Sequence, residues 1–536
     1  MKNMKVKTFL LTIPLLFGSL LGCNSTTPPA SEPGSSEAPV SSETPAQPSS
    51  TPESKPAQSS VPAPQSSVPA SEPASTPAPT GTVKIKFWHT FGQTIVDGLK
   101  GRIAEFQRLI KENDGVDVIV DMKYQGGYDD IASIIRSGYS VQNVPTIAVA
   151  YPDHVSDYLD IGKSDGVDFV ANLDPYIESD KVGFGKEKWL GDRYDEEDFI
   201  EDFYAEGSCY TTDGTYSLPF LKSTEIMFYN MDLLVEVMKG YKPELNSSQT
   251  LIANYISKIS WDEFMDICSY VKAHQADISN MLEIPAWYDS DANFFITKMY
   301  QNKIPYSSIT ADGKGKIDFE EQENFNKTVD MLDGIRQNFA DGLITTKGIK
   351  KTYGSDFFTN EKCVFSIGSS GGSGYNFPQA DAFTLGVCRV PASNNNPIYV
   401  TQGPTLAMFN DNGLSAADNE AAKLYGWKFM KYITNGQMNA EICVNGSEGY
   451  VPVRYSAYET SFFQTFMEEG EKYAQCYKVV VNDIDRYLVS PAFKGSADLR
   501  DECGTMLTSV LRSAASKADI PAIVNKAIND AKLKMN

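Results

Sequence analysis

The chain has 536 residues, 41% of them hydrophobic, with 69 acidic against 47 basic side chains and a formal charge of −22. That charge excludes nucleic acid or an anionic membrane face as the main partner, and the length exceeds what one ordinary core fills. Eight cysteines without a CxxC pair, an odd seven once Cys23 is set aside, form neither a disulfide framework nor a zinc site.

Residues 1–22 read as a secretion signal. Lys2, Lys5 and Lys7 precede an apolar stretch from Phe9 to Leu21 that is short for a membrane span. It ends Leu20-Leu21-Gly22-Cys23, which looks like a bacterial lipobox, so Cys23 is expected to be lipidated and to become the mature amino terminus; an ordinary cleaved signal is the alternative. Residues 24–80 are almost wholly Ser, Pro, Ala, Thr, Glu and Gln, with Gln58 to Ala63 echoed by Gln65 to Ala70. Nothing there can bury a core, so residues 23–80 are expected to be a disordered tether, extending to roughly 170 Å at about 3.1 Å per residue. Its many hydroxyls also suit O-glycosylation.

The folded body is residues 81–536, and no apolar run after Leu21 is long enough to span a membrane. Val83, Ile85 and Phe87 alternate with Lys84 and Lys86, the period of a strand with one apolar face, and Trp88, His89, Thr90 and Phe91 follow where it should end. Ile95, Leu99, Ile103, Phe106 and Ile110 then recur at helical spacing. Val116, Val118 and Val120 make a second strand, a Gly126-Gly127-Tyr128-Asp129 turn leads into a helix over 130–137, and Thr146 to Ala150 is a third strand. Strand, helix, strand, helix, strand predicts a parallel sheet with ligand at the carboxyl ends of the strands. Trp88 and His89 at one strand end, Tyr128 at the glycine turn, and Tyr151 and Asp153 at another strand end are therefore candidate cleft residues. A Trp packing under a loop, and a His154 that simply starts a helix, are the plain alternatives.

Phe87-Trp88-His89, the Gly127-Tyr128-Asp129 turn and Thr146 to Ala150 together resemble the family 1 extracellular solute-binding proteins of ABC importers. Tyr216 to Phe220 with Phe228-Tyr229-Asn230 resembles that family's crossing into a second lobe, and Ser260-Trp261-Asp262-Glu263-Phe264 resembles its T-W-x-E helix start, which also stands physically as a capping box of Ser260 with Glu263. Phe358 to Gly374 resembles the family's F-x-x-G-K-x-A-M strand and loop. The resemblance runs from about residue 83 to the end, closest to the glycerol-phosphate and oligosaccharide binders. It implies an α/β fold of the two-lobed type II binding-protein kind, each lobe a mixed sheet flanked by helices, joined by hinge strands and closing on ligand. Lobe 1 would be 81–220 with 391–455, and lobe 2 would be 221–390 with 456–536. Phe383 to Val390 reads as a strand, Pro391 punctuates, and Val400-Thr401-Gln402-Gly403 enters another, which suits the second crossing.

Three look-alikes fall away. Gly368-Ser369-Ser370-Gly371-Gly372 matches G-x-S-x-G, but a hydrolase of that type needs a His after the Ser, and His89, His154 and His274 all precede Ser370. A loop in which Ser369, Ser370 and Gly371 present N–H groups and hydroxyls to a sugar or anion is favoured, with a plain turn as the alternative. Thr310 to Glu321 mimics a calcium loop, but Thr310 and Lys314 occupy ligand positions, so a surface turn leading into a helix is expected. Glu225 and the run Asp195 to Asp198 suggest a glycosidase pair only weakly; the run reads as a solvated face, and Glu225 is kept as a candidate ligand contact.

Trp287 and Tyr288 are the candidate stacking residues of the second lobe, unless one of them is core. Leu499, Cys503, Met506, Leu507, Val510 and Leu511 make a buried helical stripe with Arg500 one residue off it. Ala497 to Arg500 resembles the place where glycerol-phosphate binders carry an Arg for phosphate, against local pairing with Asp498 or Glu502. The resemblance implies a membrane-anchored monomer on the extracellular face, binding a sugar or, second, a glycerol phosphoester between its lobes and delivering it to permease subunits. Gly403 and Arg500 complete the candidate contacts. No metal, cofactor, nucleic-acid partner or covalent chemistry is expected; an anchored glycan-cleaving enzyme or an adhesin is the reading from a different class.

Overall fold

The alternation of Val83, Ile85 and Phe87 with lysines produces strand Val83–His89, which buries the three apolar residues and turns Lys84 to solvent. In this computed structural model, residues 81–446, 449–469 and 472–535 are described; the secretion signal, Cys23 and the tether lie outside them. Strand Val83–His89 pairs in parallel along its whole length with Val118–Tyr124, from Val83 opposite Val118 to His89 opposite Tyr124. On its other side it pairs in parallel with Ile147–Ala150. Thr405–Met408 adds next, antiparallel to both Ile147–Ala150 and the edge strand Ser217–Pro219. Helix Gln93–Asp114 covers the sheet with the stripe of Ile95, Leu99, Ile103, Phe106 and Ile110, and Phe106 meets Phe429 of helix Ala416–Thr434 at 5.1 Å between ring centres.

A second five-stranded sheet has the order Leu385–Arg389, Glu225–Asn230, Phe365–Ser369, Ala286–Tyr288, Ile344–Thr346. Glu225–Asn230 is antiparallel to both neighbours and buried at every residue, as a central strand covered on both faces must be. The sheets share no strand. Five residues, 220–224, carry the chain from Ser217–Pro219 in the first sheet to Glu225–Asn230 in the second. The chain returns between Leu385–Arg389 and Thr405–Met408, and Ser223 bridges Gln402 where these segments meet, while Lys222 bridges Val451 of a third segment. Helix Ser496–Ser513 packs on helix Asp291–Gln301 beside the second sheet, with the stripe expected from Leu499 to Leu511 buried.

Several elements differ from the sequence reading. The first strand runs on through Trp88 and His89, because pairing with Lys123 and Tyr124 continues past the apolar alternation. The second strand is Val118–Tyr124, displaced past Val116, and the next helix is Tyr128–Ser140, longer at both ends than expected. Val400 belongs to a two-residue strand, Tyr399–Val400, paired with Tyr487–Leu488. The calcium look-alike is a hairpin, Ser307–Ile309 with Gly315–Ile317, in which Lys316 takes the carboxylates of Asp318 and Glu321. In the acidic run, Asp198 is not solvated: its carboxylate accepts from the Ser456 amide at 2.9 Å and hydroxyl at 2.6 Å, beside the buried Arg454 at 3.4 Å. The seven described cysteines are free thiols, and all but Cys209 are buried. Among the described residues, no helix is long and apolar enough to cross a membrane.

Candidate functional site

Parallel strands bring the residues after their carboxyl ends to one rim, and in each sheet an antiparallel strand delivers its amino end to that same rim. In the first sheet this gathers Tyr151 and Asp153, which follow Ile147–Ala150, beside Gly403, which precedes Thr405–Met408. In the second it gathers Glu225, Tyr288 and Ser369, with Ser369 directly opposite Glu225. A pocket lies where elements of the two sets meet. Tyr151, Asp153, Thr401 and Gly403 form one wall; Tyr306 and Arg500, the latter from helix Ser496–Ser513, form another, with Glu206 also in the lining.

Arg500 ties the walls together. Its Nη2 donates to Asn293 Oδ1 at 2.7 Å, Nη1 stands 3.8 Å from the Asp153 carboxylate, and the guanidinium lies 5.4 Å from the centre of the Tyr151 ring. Burial works against its charge, yet Asp153 leads the neighbours that hold its pKa above the ordinary guanidinium value. The local pairing with Asp498 or Glu502 offered by the sequence is thus replaced by contacts across the pocket. Tyr128 extends the aromatic surface, its ring 4.5 Å from that of Tyr151.

Behind Arg500 sits a buried polar chain. The Glu225 carboxyl accepts the Tyr288 hydroxyl beside Asn293, and burial pushes its pKa up to about 8. Glu225 and Tyr288 therefore meet each other, with both side chains closed off from solvent. At the other end of the pocket, Lys222, with no exposure at all, donates to Glu206 and, at 3.3 Å, to the Gly403 carbonyl. Burial raises the Glu206 pKa, and the Lys222 ammonium opposes that rise.

The remaining sequence candidates lie off the pocket lining. Trp88 is 4% exposed inside its strand. His89 is buried, stacked on Phe91 and accepting its backbone N–H at Nδ1; burial lowers its pKa to about 4, so the ring is neutral. Trp287 is fully buried, 4.5 Å from the Phe357 ring and against Gly354, which makes it a core residue of the second sheet. Ser370 spends its amide on the Thr224 carbonyl at 2.7 Å and accepts the Thr224 amide at its hydroxyl, so its groups serve the crossing segment instead of presenting themselves to solvent. Ser369 bonds Ser223 and the Gly371 amide, and Gly371 lies flat against the Tyr450 ring, which a Cβ would enter at 2.8 Å.

Sequence reading missed Glu206, Asn293, Thr401 and Tyr306. Asn293 had a usable signal, since Ser290 caps its amide at the start of a helix directly after a strand end. Glu206 lies in an aperiodic stretch and had none. Among the described residues, no group of His, Cys, Asp and Glu side chains is arranged to hold a metal ion.

Two α/β bodies joined by short crossings, with a pocket walled by both, define a hinged binding protein. Residues 102–468 match the family described as bacterial extracellular solute-binding protein, and the chain belongs to that family. Its location is accordingly extracellular or periplasmic, and its role is solute capture. It is 22% identical over 393 residues to the sn-glycerol-3-phosphate-binding periplasmic protein UgpB of Escherichia coli O1:K1 / APEC, covering 72% of this chain and 78% of that protein. Among solved structures, it is similar to UgpB from Mycobacterium tuberculosis in complex with glycerophosphocholine, at TM-score 0.60 and 15% identity over 85% of this chain and 100% of that one. It is equally similar to the cyclic α-maltosyl-1,6-maltose binding protein from Arthrobacter globiformis, at TM-score 0.60 and 17% identity over 84% and 99%. At these identities the two structures establish the fold.

Proposed function

We propose that the protein captures a neutral carbohydrate in the pocket between its two sheets and delivers it unchanged to the permease of an ABC importer, held at the membrane through a lipidated Cys23. The lobes would be residues 81–220 with 391–455, and 221–390 with 456–536, closing on the ligand as rigid bodies about the crossing segments. The observation that carries the reading is the pocket itself: Tyr151 offers an aromatic face, Asp153 and Glu206 offer carboxylate acceptors, and Arg500 offers donors from the opposite wall. Aromatic faces stack on the apolar faces of sugars while charged side chains take hydroxyls, and no nucleophile or acid–base step is needed. The maltosyl-sugar binder of Arthrobacter globiformis supports the sugar class. A glycerol phosphoester is the second reading, supported by Arg500 in the pocket and by the likeness to the two UgpB proteins.

A thermal-shift panel of mono- and oligosaccharides, glycerol phosphate, glycerophosphodiesters and amino acids tests this. A ligand that binds only the folded state raises the melting temperature by mass action. The reading predicts a saturable shift with one carbohydrate series and recovery of that ligand intact. A shift confined to phosphoesters promotes the second reading. No shift with any compound, or a cleaved ligand, contradicts both.

A further inference from the structure

We infer that Asn293 holds the Arg500 guanidinium against Asp153 and thereby makes the pocket select neutral polyhydroxy ligands over anionic ones; the inference rests on the pocket proposed above as the binding site. An asparagine amide has one acceptor end and one donor end. Here the Asn293 oxygen accepts from Arg500 at 2.7 Å, and Asn293 stands beside the Glu225 carboxyl, which takes the Tyr288 hydroxyl. Turning the amide over would set its NH2 against a guanidinium, which has donors only, so the Arg500 cation itself fixes the oxygen as the end it meets. Asn293 is 4% exposed, so it acts through Arg500 and is a positioning residue.

With one arm held by Asn293, the guanidinium places Nη1 3.8 Å from the Asp153 carboxylate. The surroundings are acidic. Glu206 lines the same pocket with its charge matched by Lys222, and Asp129 and Asp501 both feel the Arg500 charge, Asp129 being bonded to His154 at 3.3 Å. A phosphate would have to displace Asp153 from Arg500 and then face the displaced carboxylate and its acidic neighbours. A hydroxyl has no such conflict: it accepts from a free guanidinium N–H and donates to the Asp153 carboxylate at once. A vicinal diol matches that donor–acceptor pair; a dianion does not.

The test titrates the wild-type chain, Asp153→Asn, Asn293→Ala and the double variant with inorganic phosphate and with sn-glycerol 3-phosphate, by calorimetry, alongside the sugar panel. The expected result is no saturation of the wild type by either anion at millimolar concentration and a gain of about tenfold or more in Asp153→Asn, which frees the guanidinium. Asn293→Ala in that background abolishes the gain. Asn293→Ala alone weakens sugar binding and so narrows the ratio of sugar to phosphate affinity, a change that loss of folding alone would not produce. Asp153→Ser replaces Asp153→Asn if the latter does not fold. Tight wild-type binding of either anion, or no gain on removing the Asp153 charge, overturns the inference. A blank sugar panel together with the gain in Asp153→Asn leaves the exclusion of anions by the Arg500–Asp153 pair standing and overturns the selection of polyhydroxy ligands along with the carbohydrate reading.

Discussion

The carbonyl oxygen of Leu221 lies 2.1 Å from where a Cβ on Gly403 would stand, and Gly403 itself has φ of +96°. The two crossing segments thus meet backbone to backbone at the edge of the pocket, in a conformation that side chains of L-residues rarely adopt. Gly403→Ala therefore costs about 2 kcal/mol or more in unfolding free energy and pushes residues 221 and 222 away from the pocket. Urea denaturation measures the first effect and ligand affinity the second; an Ala variant of wild-type stability contradicts the packing described.

Lys222 and Glu206 make a buried ion pair beside the same crossing. Removing one partner strands the other, which typically costs about 3–5 kcal/mol, whereas removing both with apolar or neutral isosteres is far milder. Lys222→Met is expected to show the full loss, and Lys222→Met with Glu206→Gln to recover most of it. Chemical denaturation of the three variants forms the cycle that checks this.

Three buried groups near the pocket and the first sheet contribute to the pH dependence. Glu225 keeps its proton to about pH 8 when folded and releases it near 4.5 when unfolded, so the folded state holds the extra proton between these values. Stability contributed by that proton falls as pH rises across the window, by up to roughly 5 kcal/mol in all. His89 acts oppositely: burial lowers its folded pKa to about 4 from 6.5, so stability rises with pH over that range and offsets Glu225 there. At His154, burial lowers the pKa but is outweighed by the Asp129 hydrogen bond and the nearby Asp153 and Asp157 carboxylates; its raised pKa adds to the loss above pH 6.5. Unfolding free energy should decline from pH 6.5 to 8, and Glu225→Gln should flatten the decline, leaving the shares of His154 and of the other shifted groups, among them Lys298, which burial lowers to about 8 and which acts oppositely. An unchanged slope in Glu225→Gln contradicts the assignment.

Trp287 and Tyr151 should separate stability from binding. Trp287 is core, so Trp287→Ala costs about 3–5 kcal/mol in stability, and the milder Trp287→Phe leaves affinity close to wild type. Tyr151→Ala removes a pocket face and weakens ligand binding while costing less in stability. Paired melting and titration experiments on Trp287→Phe and Tyr151→Ala read both.

The strands and helices were legible where periodicity was strong. The stripe Ile95 to Ile110 and the stripe Leu499 to Leu511 are buried as their spacing demands, and Ser260 and Glu263 make the capping box their spacing predicts, with Ser260 N donating at 2.9 Å. The pocket was legible only in part. Tyr151, Asp153, Gly403 and Arg500 line it, since strand ends and the first turn of a helix point to a rim. Trp287 sits only one residue before Tyr288 and Asp289 at a strand end, but alternation in a strand sends it to the opposite face, under Phe357. Ser370 looked available because a glycine-rich loop presents polar groups, and sequence could not show that Thr224, 146 residues away, would take them. Glu206 became visible only when the fold set Lys222 against it.

A neutral carbohydrate bound in this pocket should depend on Tyr151 and Arg500, which wall it together with Asp153. The most direct measurement is calorimetric titration of the carbohydrate found in the thermal-shift panel into the wild-type chain and into Tyr151→Ala and Arg500→Ala, both confirmed folded by their melting transitions. The expected result is one site per chain in the wild type, affinity weaker by about tenfold or more in each variant, and unaltered ligand at the end. Wild-type affinity in both variants would contradict it, because the ligand would then bind somewhere other than this pocket.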